Sequence, residues 1–134
     1  MRFILLIVAT VSLFSCSNNS AISKKLSGSD SLVINFTLAP SDSIVKTVTT
    51  TEPKAIKKLV QFVDGKQAEE NKCGYDGQLL FFVKGNLVSD AYFKYTDPGC
   101  RYFLMELDGK LQRTKMSNEA ADFLQGLAEG RNSY

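Results

Sequence analysis

Few residues in this chain are equipped for chemistry. Of its 134 residues three are cysteine, Cys16, Cys73 and Cys100, and none is histidine. Without an imidazole neither a Ser-His-Asp triad nor a Cys-His pair can be assembled, and a catalytic thiol lacks its usual base. Zinc takes about four ligands drawn mainly from Cys and His, which two distant cysteines do not supply. Carboxylate chemistry remains, in which one acid donates a proton and another accepts it; the candidates are Glu69, Glu70, Asp76, Asp90, Asp97, Glu106 and Asp108. They fall mostly in turn-forming stretches and at polar strand positions, where solvated acids are expected. No alternating run of acids closed by a glutamate marks a calcium loop, and no Gly-rich loop is spaced to cradle phosphate. The expectation is a protein with no cofactor and no metal that is not an enzyme.

Cys16 stands apart from the other two cysteines. It follows an apolar run over residues 3–14, FILLIVATVSLF, which Arg2 precedes. Too short for the roughly 20 residues of a spanning helix, that run has the charge and length of a secretory signal. Its end, Leu13-Phe14-Ser15-Cys16, resembles the lipobox of bacterial lipoproteins, although that family usually has a small or β-branched residue where Phe14 stands. The resemblance covers residues 1–16 and implies cleavage before Cys16, with acyl chains on its thiol and new amino group, so that the membrane is a partner through those chains. The alternative is cleavage after Ser17 by ordinary signal peptidase, using Ser15 and Ser17 as the small residues, which would discard Cys16 and release a soluble protein. In the lipoprotein family the residue after the cysteine biases sorting, and Ser17 resembles the outer-membrane-directed kind. Residues 17–21 hold no acidic cluster of the sort some groups use for surface display. The localisation implied is the bacterial cell envelope, lipid-anchored at the outer membrane and facing the periplasm.

The division that follows is a signal peptide over residues 1–15, an acylated cysteine and flexible tether over 16–30, and a single domain over 31–134. The tether SNNSAISKKLSGSD is polar, with an expected root-mean-square reach of about 20 Å.

Apolar periodicity predicts the elements of the domain. Residues 31–38 alternate with Leu32, Ile34, Phe36 and Leu38 on one side, the period of a half-buried strand. Residues 44–50 repeat the pattern after a turn favoured by Pro40 and Asp42. Residues 51–65 carry Ile56, Leu59, Val60 and Val63 at helical spacing, with Thr51 as N-cap, Pro53 in the first turn and Gly65 as terminator. Two tight hairpins are predicted, one with strands 79–83 and 87–95 around Gly85-Asn86, the other with strands 101–107 and 110–116 around Asp108-Gly109. The first of these strands is apolar on both faces, which suggests a central position. Ser117 caps a last helix over 118–130, with Ala120, Phe123, Leu124 and Leu127 as its stripe. The order ββαββββα predicts an α+β domain, an antiparallel sheet of about six strands with two helices packed on it. The first two strands can extend either edge of the meander formed by the other four.

A hairpin centred on Gly85 and Asn86 pairs residues whose numbers sum to 171, which sets Cys73 opposite Pro98 and beside Cys100. In an oxidising compartment two such thiols form a disulfide, worth about 3 to 4 kcal/mol in the chain-entropy model. The count then closes, with one cysteine acylated and two paired.

Aromatic residues are dense in the meander: Phe81, Phe82, Tyr92, Phe93, Tyr95, Tyr102 and Phe103. Alternation puts Tyr92 and Lys94 on the face opposite Phe93 and Tyr95, so both faces carry large rings. If one face is left bare, Tyr92, Lys94, Arg101 and Tyr102 make an amphipathic contact surface. In the competing expectation the second helix covers that face.

Composition narrows the functional class. With 44% hydrophobic and 22% charged residues and a net charge of +2, the chain has no footprint of a nucleic-acid binder. The doublets Lys24-Lys25 and Lys57-Lys58 read as a solvated tether and an exposed helix face. The function expected is that of a membrane-anchored envelope lipoprotein binding an envelope protein or polymer. The alternatives are an inhibitor or immunity-type lipoprotein that neutralises a secreted enzyme, and a carboxylate-based hydrolase of envelope glycans.

Overall fold

The computed structural model describes residues 20–38 and 40–132; the apolar run over residues 3–14 and Cys16 lie outside them. Six strands form one sheet: β1 (Ser31–Leu38), β2 (Ser43–Thr50), β3 (Gly77–Val83), β4 (Asn86–Lys94), β5 (Tyr102–Leu107) and β6 (Lys110–Lys115), in the order β2-β1-β3-β4-β5-β6. Every neighbouring pair is antiparallel. β3 is central, as its apolar character on both faces predicts, and β1 joins it so that β2 becomes an outer edge. The predicted order ββαββββα and the α+β class are met, with one element added in front.

That element is α1 (Ala21–Leu26), which corrects the reading of the tether over its residues 21–26, while residues 16–19 lie outside those described. The Ser20 hydroxyl caps it by accepting from the Ser23 amide at 3.1 Å, and Ile22 and Leu26, four residues apart, both reach the core. Six residues make too short a helix to persist alone, so packing holds this one together. Two apolar residues in a polar stretch are a faint signal, and composition concealed them.

The two predicted helices are α2 (Pro53–Val63) and α3 (Asn118–Ala128). In α2 the buried residues Ala55, Ile56, Leu59, Val60 and Val63 form one stripe. Its N-cap is Glu52 rather than Thr51, and Pro53 takes the first position, where its missing N–H leaves no bond unmade. α3 begins at Ser117, whose hydroxyl accepts from the Ala120 amide at 3.1 Å. The helices lie side by side: α2 meets α3 through Phe62 and Phe123, whose ring centroids are 5.7 Å apart, and meets α1 on its other flank.

All three helices pack on one face of the sheet. Their buried side chains share a single core with Leu32, Ile34, Phe36, Leu79, Phe81, Phe93, Phe103 and Met105, which alternation directs the same way. The other face, carrying Val33, Asn35, Gln78, Leu80, Asp90 and Tyr92, receives no helix from among the described residues. A second helix covering that face is therefore not what is found.

Both hairpins turn through two residues in left-handed conformation. In the second these are Asp108 (φ 52°) and Gly109 (φ 78°), as predicted. In the first they are Lys84 (φ 50°) and Gly85 (φ 79°), one residue earlier than Gly85-Asn86. An irregularity between Phe81 and Phe82 then shifts the register, so that Gly77 pairs with Phe93.

Candidate binding surface

The bare face of the sheet is partly crossed by the chain itself. After α2 the backbone follows the outer edge of β6, where the Lys115 amide donates to the Lys66 carbonyl at 2.7 Å and the Ala68 amide to the Arg113 carbonyl at 2.8 Å. This blunts an otherwise open sheet edge. The strap then passes over β5 and β4 to enter β3. Along that path Arg113 Nη1 donates to Asn71 Oδ1 at 2.9 Å, Cys73 is bonded to Cys100, and the Tyr102 hydroxyl donates to the Gly74 carbonyl.

The predicted Cys73–Cys100 disulfide is present, with the two Cα atoms 6.2 Å apart. The geometric reason differs from the one expected. Cys73 precedes β3, which starts only at Gly77, so the thiols meet because the strap crosses the sheet and not as ladder neighbours.

Asp76 fastens the end of the strap. Its carboxylate accepts from the amides of Tyr95 (2.7 Å) and Thr96 (2.9 Å), from the Thr96 hydroxyl (3.0 Å) and from Lys94 Nζ (3.2 Å). Its amide donates to the Phe93 carbonyl at 2.7 Å, and its carbonyl accepts from the Thr37 amide at 2.8 Å. Burial raises the pKa of this carboxyl, but the bonds from Thr96, Tyr95 and Lys94 outweigh it and leave the value below that of a free aspartate. One residue thus joins the start of β3 to the end of β4 through its side chain and ties the strap to β1 through its main-chain carbonyl.

Beside this clamp lies an aromatic cluster. The ring of Tyr75 stacks at 4.8 Å on Tyr92 and meets Tyr102 edge-on at 6.1 Å. Tyr92 is 40% exposed and Tyr102 only 2%, because Arg113 lies over the Tyr102 ring at 4.3 Å and the strap covers the rest. Burial and the neighbouring Tyr75 raise the Tyr102 hydroxyl pKa, which keeps the proton it donates to Gly74. Next to Tyr75 and Tyr92 a concavity of about 380 Å³ opens over the ends of β1, β2 and β3, floored by Gly77 and walled by Asn35, Gln78 and Ile44. It joins aromatic faces to amide groups, the combination that fixes a ligand's orientation while burying its apolar surface.

The four residues expected on the contact surface have separate roles. Tyr92 is on the surface. Lys94 is held against Asp76, with its side chain 15% exposed. Arg101 donates to the Tyr95 carbonyl at 2.9 Å and to Asn118 Oδ1 at 3.1 Å, tying β5 to the start of α3. Tyr102 anchors the strap. Tyr75 takes the place these leave; it sits two residues from Cys73 and outside every predicted strand, so no alternation pointed to it.

The candidate acids are likewise accounted for. Asp76 is the clamp, Asp90 Oδ2 accepts from Gln78 Nε2 at 2.7 Å, and Asp97 Oδ1 accepts from the Gly99 amide at 3.0 Å in the short helical turn at Pro98–Cys100. Glu106 and Asp108 are exposed around the last hairpin. Glu69 and Glu70 are exposed on the strap and line an open groove of about 640 Å³ with Arg101 and Lys115. Among the described residues no three His, Cys, Asp or Glu are grouped to hold a metal, and no helix is long and apolar enough to cross a membrane.

No family model, no curated protein and no solved structure matches this chain.

Proposed function

We propose that this chain is an exported, lipid-anchored envelope domain that works by binding. Acyl chains on Cys16 hold it at the outer membrane on the periplasmic side, and the bare face of its sheet receives an envelope protein or polymer. One observation carries this reading: among the described residues the helices α1, α2 and α3 occupy one face, while the other displays the exposed Tyr75–Tyr92 pair beside a concavity. Tyrosine, here on a rigid, partly apolar floor, is among the residues enriched at recognition surfaces. The disulfide and the Asp76 clamp support it by fixing the rings before any partner arrives, which lowers the entropic cost of binding.

An inhibitor or immunity-type role draws support from a different place. β2 is an edge strand whose Ile44 and Val45 are 57% and 60% exposed, and such an edge can pair with a strand of another protein. Hydrolysis of envelope glycans draws less, since Asp76, Asp90 and Asp97 are each engaged within the fold.

Two measurements test the proposal. The intact mass of the protein extracted from membranes reports acylation, and a mass without acyl chains at Cys16 removes the anchor from the account. Co-purification from solubilised envelopes, with wild type beside a Tyr75→Ala, Tyr92→Ala double variant, tests the surface. A species retained by the wild type and lost from the variant supports it; equal retention by both moves the binding surface elsewhere.

A further inference from the structure

The lysine doublets that look unrelated in sequence converge in the fold. α1 and α2 pack against each other, and together they hold Lys24, Lys25, Lys54, Lys57 and Lys58 with no acidic residue in either helix. Lys24 lies two residues from each of the buried Ile22 and Leu26, on the side of α1 turned from the core, and is exposed. Lys54 and Lys57 are exposed on the outer side of α2, and Lys57 borders the groove between the helices with Ser23 and Ser27. Lys25 turns to the Glu106 carbonyl at 3.2 Å, and Lys58 faces Glu119 at 3.7 Å. α3 is the reverse, with Glu119 and Asp122 and no basic residue. The helical layer is thus polarised, basic at α1 and α2 and acidic at α3.

The basic side is also the side nearest the anchor. α1 starts at Ala21, five residues after Cys16. Five residue steps span at most about 18 Å fully extended, and about 12 Å on average for a flexible chain. A domain of this length has a radius of gyration of about 13 Å. The reach is therefore shorter than the domain is wide, and an acyl chain at Cys16 keeps α1 close to the lipid headgroups.

From these two observations we infer that the α1–α2 lysine face, centred on Lys24, Lys54 and Lys57, docks on an anionic phospholipid surface and sets the orientation of the domain. The inference rests on the acylated Cys16 proposed above. Anchoring supplies proximity; the lysines supply direction, each favouring anionic over neutral lipid by about fivefold within a Debye length. The sheet's bare face lies across the domain from the helices, so this orientation points Tyr75 and Tyr92 away from the bilayer.

The test uses the full chain extracted from membranes and reconstituted into vesicles of phosphatidylethanolamine and phosphatidylglycerol, or of phosphatidylcholine alone. Amine-reactive labelling with mass readout follows each lysine. Lys24, Lys54 and Lys57 are expected to label about fivefold more slowly on the anionic vesicles than on the neutral ones, while the exposed Lys72 on the strap and Lys115 on β6 label equally on both. Lys25 and Lys58, at the margin of the face, are expected to label more slowly on the anionic vesicles in wild type, and a Lys24→Glu, Lys54→Glu, Lys57→Glu variant is expected to label them equally on both. Equal labelling of all lysines on both vesicle types overturns the inference. The mass at Cys16, read from the same sample, separates the failures: an acylated protein with unprotected lysines sinks this inference alone, and an unacylated Cys16 sinks the anchor and the inference with it.

Discussion

Oδ2 of Asp76 accepts two hydrogen bonds from Thr96, one from its amide at 2.9 Å and one from its hydroxyl at 3.0 Å. With the Tyr95 amide and Lys94 also directed at this carboxylate, the start of β3 is fastened to the end of β4 by a single side chain. Asp76→Ala leaves those donors unpaired, and a loss of about 2 to 3 kcal/mol is expected. Urea unfolding of the variant beside wild type measures it.

The same carboxylate gives stability a pH dependence of known sign. Its folded-state pKa lies below the free value, so the stabilisation is fully present above the usual aspartate pKa and is lost as pH falls through the lower folded value. Wild type should therefore lose unfolding free energy on acidification below about pH 4 more steeply than Asp76→Asn, which has no proton to take up there. Parallel curves for the two proteins would remove Asp76 as the source.

The disulfide closes a loop across the strap, with Cys73 and Cys100 separated by 27 positions in sequence. A Cys73→Ser, Cys100→Ser variant is expected to lose about 3 to 4 kcal/mol in urea unfolding. Limited proteolysis should then cut first within residues 66–76, while the helices and the remaining sheet resist.

Gly77 shows how closely the strap enters the sheet. A β-carbon there would overlap the Asn35 carbonyl oxygen and the ring of Phe93. Gly77→Ala is expected to cost about 1 to 3 kcal/mol, as overpacking in a filled core does. A shift in the urea midpoint with an unchanged slope is the result to look for.

The tyrosines separate surface from scaffold. Tyr102→Phe removes the hydroxyl that donates to Gly74 and should cost about 1 kcal/mol, whereas Tyr92→Ala, at an exposed ring, should cost less than about half that from stability. Thermal unfolding of the two variants checks the contrast.

How much of this was legible in sequence depends on whether the governing contacts were local. Strand alternation, helical stripes and the Asp108-Gly109 turn are local, and they predicted the element order correctly. The first hairpin misled by one residue, since Gly85 serves the second turn position with Lys84 before it, and an irregularity at Phe81/Phe82 reset the register. α1 escaped because its stability comes from packing Ile22 and Leu26 and not from its polar composition. The surface was the least legible part. Alternation correctly placed Tyr92 and Tyr102 on one face, but only the strap's path determines that Tyr102 is buried, Lys94 is committed to Asp76 and Tyr75 joins Tyr92. Such long-range crossings leave no periodic mark.

The envelope protein or polymer is proposed to meet the bare sheet face, and not the helical face assigned to lipid. Photoreactive residues placed at Tyr92 and, on α3, at Asp122, followed by irradiation of intact envelopes and mass identification of adducts, test it most directly. A discrete adduct from position 92 and none from position 122 is the predicted result. An adduct from position 122 with none from position 92 would contradict it.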